Sequence, residues 1–239
     1  MDSKRKNGCF IAFLVGVIVP VIFFLIFFTL DKKRPSLETL KCLPIYGPKK
    51  AIEVKDEDGN KRIDTVYHHI PAFSFLDQNG DTITQATMLG KVSVVDFFFT
   101  HCPGICIDMT RNLKRLQDKY IQDKQDLLIL SHTVDPEADS VGQLKKYAVE
   151  KDINSKMWHL LTGDKKKLYD QARFGYFITA LQGDGGPNDF IHSEKLVLVD
   201  KEGLIRGYYD GTSDSVVDKM MTDVQLLLVS YIVPMKPKK

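Results

Sequence analysis

Two cysteines, Cys102 and Cys106, are separated by three residues in the run His101-Cys102-Pro103-Gly104-Ile105-Cys106. Positions four apart share one face of a helical turn. The apolar run Val92–Phe99 precedes them and apolar residues at helical spacing follow, which predicts a strand-to-helix junction. There the helix dipole stabilises thiolate over thiol. A thiolate is both the nucleophile of disulfide exchange and a soft metal ligand. Disulfide exchange of the thioredoxin kind usually has two intervening residues, so the third opens the bite and suits a metal held by both sulfurs. Two soft sulfurs favour Cu(I), and an added imidazole would let the same site hold Cu(II). The competing reading makes Cys106 a small core residue in line with Met109 and Leu113, which leaves Cys102 and the Pro-Gly turn unexplained. Pro103 is expected at the first helical position, where its fixed φ fits and its missing N–H costs nothing.

Six histidines could supply the imidazole. His101 is adjacent to Cys102, but neighbouring side chains at an extended strand end point apart. His132 and His159 lie in apolar strands and read as packing, and His68 and His69 read as surface. His192 differs, because it ends the glycine-rich stretch Gln182–Asp189 and directly precedes an apolar strand. A histidine on a loop can close over a site or withdraw from it. Asp135 and Asp139, in Asp135-Pro136-Glu137-x-Asp139, follow the second buried strand on the same sheet edge as the cysteines. They are candidates to position the ligands, with helix capping or a turn as the alternative. The run Gly183-Asp184-Gly185-Gly186 lacks the Lys-Ser/Thr and helix of a phosphate loop.

The elements that must position these residues alternate. Phe73, Phe75 and Leu76 lead through Asn79-Gly80 to Ile83, a hairpin. Val92–Phe99 reads as a central strand buried on both faces. Ile105, Met109, Leu113, Leu116 and Tyr120 mark a helix, and Leu127–Leu130 a second buried strand. A helix over 140–151, the strand Trp158–Leu161, a helix over 165–174, a hairpin around Glu202-Gly203 and a closing helix through Val216–Tyr231 complete the order. Strands alternating with helices predict an α/β fold, a mixed sheet covered on both faces, and a cysteine pair after the first long strand suits a thioredoxin-like arrangement.

Composition bounds the rest. A net charge of +2 with 27% charged residues gives no nucleic-acid footprint, and 44% hydrophobic residues suffice for a core. Phe10–Leu30 carries no charged residue, and a helix of that length rises about 31 Å, the thickness of a bilayer's hydrocarbon core. A signal peptide's apolar part is shorter, and no small-x-small cleavage site precedes Asp31-Lys32-Lys33-Arg34. Cys9 precedes the apolar run, whereas a lipid-modified cysteine follows one. The reading is therefore residues 1–9 as a cytoplasmic tail, 10–30 as a transmembrane anchor and 31–65 as a tether. Residues 66–233 follow as the folded domain and 234–239 as a basic tail. Basic residues flank both sides of the anchor, and a short tail before a large domain places that domain on the extracytoplasmic side of the inner membrane. Cys42, in the tether, has no partner at suitable spacing.

Four segments in order resemble the Sco/SenC family: Phe98-Phe99-Thr100-His101-Cys102-Pro103-x-x-Cys106, Val134-Asp135-Pro136-Glu137-x-Asp139, Trp158-x-Leu160-Leu161-Thr162-Gly163 and His192-Ser193. The likeness spans about Pro71 to Leu228. It implies a membrane-anchored thioredoxin-like domain that binds copper, Cu(I) or Cu(II), through Cys102, Cys106 and His192. The implied role is metallochaperone, assisting assembly of the binuclear copper centre of cytochrome c oxidase, with that enzyme's copper-bearing subunit or another membrane oxidase as partner. Binding rather than turnover is then the main activity. The alternative is a membrane-anchored thiol–disulfide reductase that keeps client cysteines reduced, with Cys102 attacking. Family members often carry proline directly after the second cysteine and aspartate directly before the histidine. This chain has Ile107 and Ile191, which suggests a divergent branch.

Overall fold

The computed structural model describes residues 43–55, 60–122, 126–178 and 193–232, together with Val21. Among them no helix is long and apolar enough to cross a membrane. Apart from Val21, the apolar run over 10–30 lies outside the described residues, as do Cys42 and His192.

Residues read from sequence as tether form a hairpin, β1 (Lys49–Lys55) and β2 (Lys61–Tyr67), paired antiparallel from Lys49 opposite Tyr67 to Lys55 opposite Lys61. Ile52, Val54, Ile63 and Val66 supply strand propensity, but both faces stay exposed, so no period-2 burial pattern announces the strands. A second hairpin follows, β3 (Ser74–Leu76) and β4 (Thr82–Thr84). Its turn is built by Asp77, whose carboxylate accepts the N–H groups of Asn79 at 2.8 Å and Asp81 at 3.0 Å, with Gly80 at φ +84°. The short helix α1 (Gln85–Met88) leads to β5 (Val92–Phe98).

The main sheet runs β7-β6-β5-β8-β9, with β6 (Leu127–Thr133), β7 (Trp158–Leu161), β8 (Lys195–Val199) and β9 (Ile205–Asp210). β5 pairs parallel with β6, and β6 with β7, while β5–β8 and β8–β9 are antiparallel. This is the mixed, thioredoxin-like sheet that the alternation of elements predicts. Every residue of β5 is buried, since helices cover both sides. On one side Val92, Val94 and Phe98 pack with α2 (Ile105–Tyr120), α3 (Val141–Glu150) and α5 (Asp214–Ile232) through Met109, Leu113, Leu144, Val217 and Val224. On the other, Val95 and Phe97 meet Ile70, Phe73, Phe75 and Met88, and Leu168 and Tyr169 of α4 (Lys165–Asp170). Truncating a core side chain such as Leu113 in such a setting costs about 2–5 kcal/mol.

The helix expected over 165–174 changes pitch: after Asp170 it becomes a π-helical turn, Gln171–Gly175. Residues 43–47 are held along β9. Arg206 donates to the carbonyls of Leu43 at 2.6 Å and Pro44 at 3.2 Å, and His68 Nε2 bonds the Gly175 carbonyl at 2.9 Å. Gly47 adopts φ +102°, and a Cβ there would stand 3.1 Å from Phe177.

Candidate metal centre

Helix α2 begins at Ile105 with Gly104 as its cap residue, so Pro103 precedes the helix and does not occupy its first position. Cys102 therefore lies in the loop and Cys106 in the first helical turn. No side chain of the usual capping type serves this helix end. Instead the N–H groups of Gly104 and Cys106 are directed at the Cys102 sulfur, which takes the place of a cap. The thiols of Cys102 and Cys106 hydrogen-bond each other, and no disulfide joins them.

The two sulfurs differ electrostatically. Burial opposes the Cys102 thiolate, yet hydrogen bonds from the Cys106 thiol and from the Gly104 and Cys106 amides outweigh it and hold this thiol below its ordinary value. Cys106 is 5% exposed, and burial, reinforced by Cys102 and by the charge of Asp96, pushes it up to about 12. A cavity of about 370 Å³ opens over the pair, walled by Thr100, Ile107, Thr110 and Tyr147 and rimmed by Arg111, Lys114 and Lys151. Each rim cation faces an acid: Arg111 meets Asp214 at 2.8 Å, Lys114 meets Asp152 at 2.8 Å, and Lys151 meets Glu150 at 2.7 Å. Among the described residues no carboxylate lines the cavity, so the donors they offer there are two soft thiols, a set that fits Cu(I).

Asp139 fixes the loop before the cysteines. Fully buried, its carboxylate accepts the Thr100 N–H at 3.1 Å, the Thr100 hydroxyl at 2.5 Å and the Thr133 hydroxyl at 2.5 Å. One side chain thus ties the loop leaving β5 to the end of β6. The cap of α3 is Ser140, which accepts the Gln143 N–H at 3.3 Å, so capping is not the role of Asp139. Asp135 is half-buried and engages through its backbone, donating to Thr133 Oγ1 at 3.0 Å and accepting the Asp139 N–H at 2.8 Å. Among the described residues no three His, Cys, Asp or Glu side chains converge as a metal cage. His192, the expected third ligand, lies outside them.

The remaining described histidines are occupied elsewhere. His132 is sealed among Phe73, Phe75, Phe97 and Tyr176, and burial holds it neutral, down to about 4. His159 Nδ1 meets the buried Asp77 at 2.9 Å. His101 Nδ1 lies 3.0 Å from Thr100 Oγ1.

Two buried polar residues of β5 went unused in reading Val92–Phe99 as apolar, namely Ser93 and Asp96. Asp96 accepts the Ser131 hydroxyl, which in turn accepts Trp158 Nε1–H at 2.8 Å. Burial raises this carboxyl to about 7. The available signal was an acid inside an otherwise apolar strand six residues before Cys102.

The family model described as SCO1/SenC matches residues 62–228. The SCO1 protein homolog of Bacillus subtilis is 29% identical over 167 residues, covering 70% of this chain and 86% of the relative. The structure of BsSco, a member of the Sco family of cytochrome c oxidase assembly proteins in which a disulfide switch was identified, superposes with a TM-score of 0.57 at 28% identity. It covers 67% of this chain and 93% of BsSco. ScoI of Arabidopsis thaliana, crystallised with copper bound, gives a TM-score of 0.53 at 26% identity, covering 66% of this chain and 99% of that one. The match over most of the folded region, with the cysteine pair at the same strand-to-helix junction that the sequence marks out, makes this chain a member of the SCO1/SenC family.

Proposed function

We propose that this chain is a membrane-anchored copper-binding chaperone that assists assembly of the binuclear copper centre of cytochrome c oxidase, with Cys102, Cys106 and His192 as ligands. The observation that carries the reading is the pair of mutually hydrogen-bonded thiols at a helix N-terminus, under a cavity that no carboxylate among the described residues lines. The likeness to a copper-bound ScoI supports it. When bound, copper would be cargo, held by soft sulfur and, as Cu(II), by an imidazole as well. The chain's own contribution is to present Cys102 as thiolate, to keep Cys106 dry until a ligand arrives, and to hold the loop rigid through Asp139.

A thiol–disulfide reductase is the second reading, favoured by the inequality of the two thiols. An accessible thiol with lowered pKa beside a buried one with raised pKa suits attack by Cys102 and resolution by Cys106. His192→Ala separates the two. For the chaperone, this variant loses stable Cu(II) binding and fails in oxidase assembly, while Cys102 and Cys106 still close a disulfide on oxidation. Normal assembly with His192→Ala but none with Cys102→Ser would replace copper delivery with thiol reduction.

A further inference from the structure

The cavity over Cys102 and Cys106, about 370 Å³, is larger than a metal ion requires. At about 30 Å³ for each water it would hold on the order of ten, which is the size of a small-molecule site. Its wall contains a hydrogen-bond donor without an acceptor. Thr110 Oγ1 and the Tyr147 hydroxyl lie 2.9 Å apart, on residues that are 8% and 7% exposed. One hydrogen bond between two hydroxyls uses one of their two protons. Neither hydroxyl bonds any other described residue, so the second proton is left for an acceptor that enters the cavity.

The mouth adds cations. Arg111, Lys114 and Lys151 border the cavity, and Lys151 Nζ stands 5.5 Å from the centre of the Tyr147 ring. Their partners Asp214, Asp152 and Glu150 are 62%, 91% and 68% exposed, and Lys114 also meets Asp118 at 2.7 Å. Solvated pairs of this kind are worth at most about 1 kcal/mol each, so a ligand carboxylate can take the place of an acid at little cost. A free hydroxyl proton and three exchangeable cations thus surround the outer thiol, Cys102, while Cys106 is buried behind it. We propose that this cavity binds small anionic disulfides, the oxidised form of a carboxylate-bearing thiol of low molecular mass, and brings them to Cys102. The inference rests on the cysteine pair as the working site of the readings above. The Cys102 thiolate attacks one sulfur of the bound disulfide, a Cys102–S bond forms as the ligand's S–S bond breaks, and the departing thiolate takes up a proton from water. Cys106, its proton given to water, then attacks the Cys102 sulfur and releases the second thiol. The ligand is reduced to two thiols and the pair is oxidised to one disulfide.

The test mixes the full chain, reduced, metal-free and in neutral detergent, with oxidised glutathione, 2-hydroxyethyl disulfide or cystamine, which are anionic, neutral and cationic. Reaction at Cys102 is followed by mass spectrometry, and each rate is divided by that for the neutral compound, which cancels the thiol's own reactivity. Lys114→Gln combined with Lys151→Gln should lower the anionic-to-neutral ratio about tenfold and raise the cationic-to-neutral ratio. In the parent chain, S-methylglutathione, which keeps the carboxylates but has no exchangeable sulfur, should protect Cys102 against iodoacetamide. An unmoved ratio, or no protection, overturns the inference. Copper stoichiometry of the reduced parent is measured alongside. Copper binding without charge preference removes the disulfide site and leaves the chaperone reading standing, and charge preference without copper binding does the reverse.

Discussion

Cys102 is half-buried with two backbone N–H groups aimed at its sulfur, whereas Cys106 is buried in the first turn of α2. Iodoacetamide at neutral pH should therefore label Cys102 first, by about an order of magnitude in rate, as read by peptide mass spectrometry. Asp96 gives a second residue-scale expectation. An unfolded aspartate titrates near 3.8 and this buried one near 7. Between those values the folded state keeps a proton that the unfolded state has lost, so this group's contribution to stability falls as pH rises. The separation corresponds to about 4 kcal/mol. Asp96→Asn, compared with the parent in metal-free denaturant titrations, should gain stability relative to it by roughly that amount between pH 4 and pH 8. The cysteine pair was legible in the sequence because spacing and chemistry coincide there. Asp96 was not, since a single acid interrupts an apolar run without changing its period.

Elements set the site through their ends. Asp139 belongs to neither strand, yet its carboxylate joins Thr100 beyond β5 to Thr133 closing β6. Asp139→Ala should cost about 3 kcal/mol by chemical denaturation, since the three donors lose a buried charged acceptor. It should also weaken copper retention without removing a ligand. The strands and helices of the main sheet were legible because burial on one or both faces imposes a period. Two features were not. The β1–β2 hairpin is exposed on both faces, so no alternation of burial marks it, and its charged run, with Pro44 and Pro48 just before it, resembles a linker. The π-helical turn keeps Ala172 buried while turning Phe174 out, a break in phase that helical spacing does not announce.

At the scale of the whole molecule, the two sides of the sheet differ. The α2 side carries the thiols and the α4 side carries a groove beside Phe174. The uncharged Phe10–Leu30 run and its short basic tail lead us to expect the domain outside the cytoplasm. A reporter active only in that compartment, fused after Lys239, should work, and a cytoplasm-dependent one should fail. The opposite result would remove both the proposed setting and the proposed client.

The sheet also imposes a timetable on synthesis. β5, which leads into the loop and helix that carry the cysteines, lies between β6 and β8, and β8 is made about ninety residues after Cys106. Until β8, β9 and α5 emerge, one edge of β5 is open and the apolar face of α2 lacks Val217 and Val224. At ribosomal speed that interval lasts on the order of ten seconds. During it the core around Cys106 is incomplete, and this thiol is less well covered than in the finished fold. The incompletely made chain is therefore more open to premature cross-linking of its thiols than the folded protein, in which Cys106 is buried.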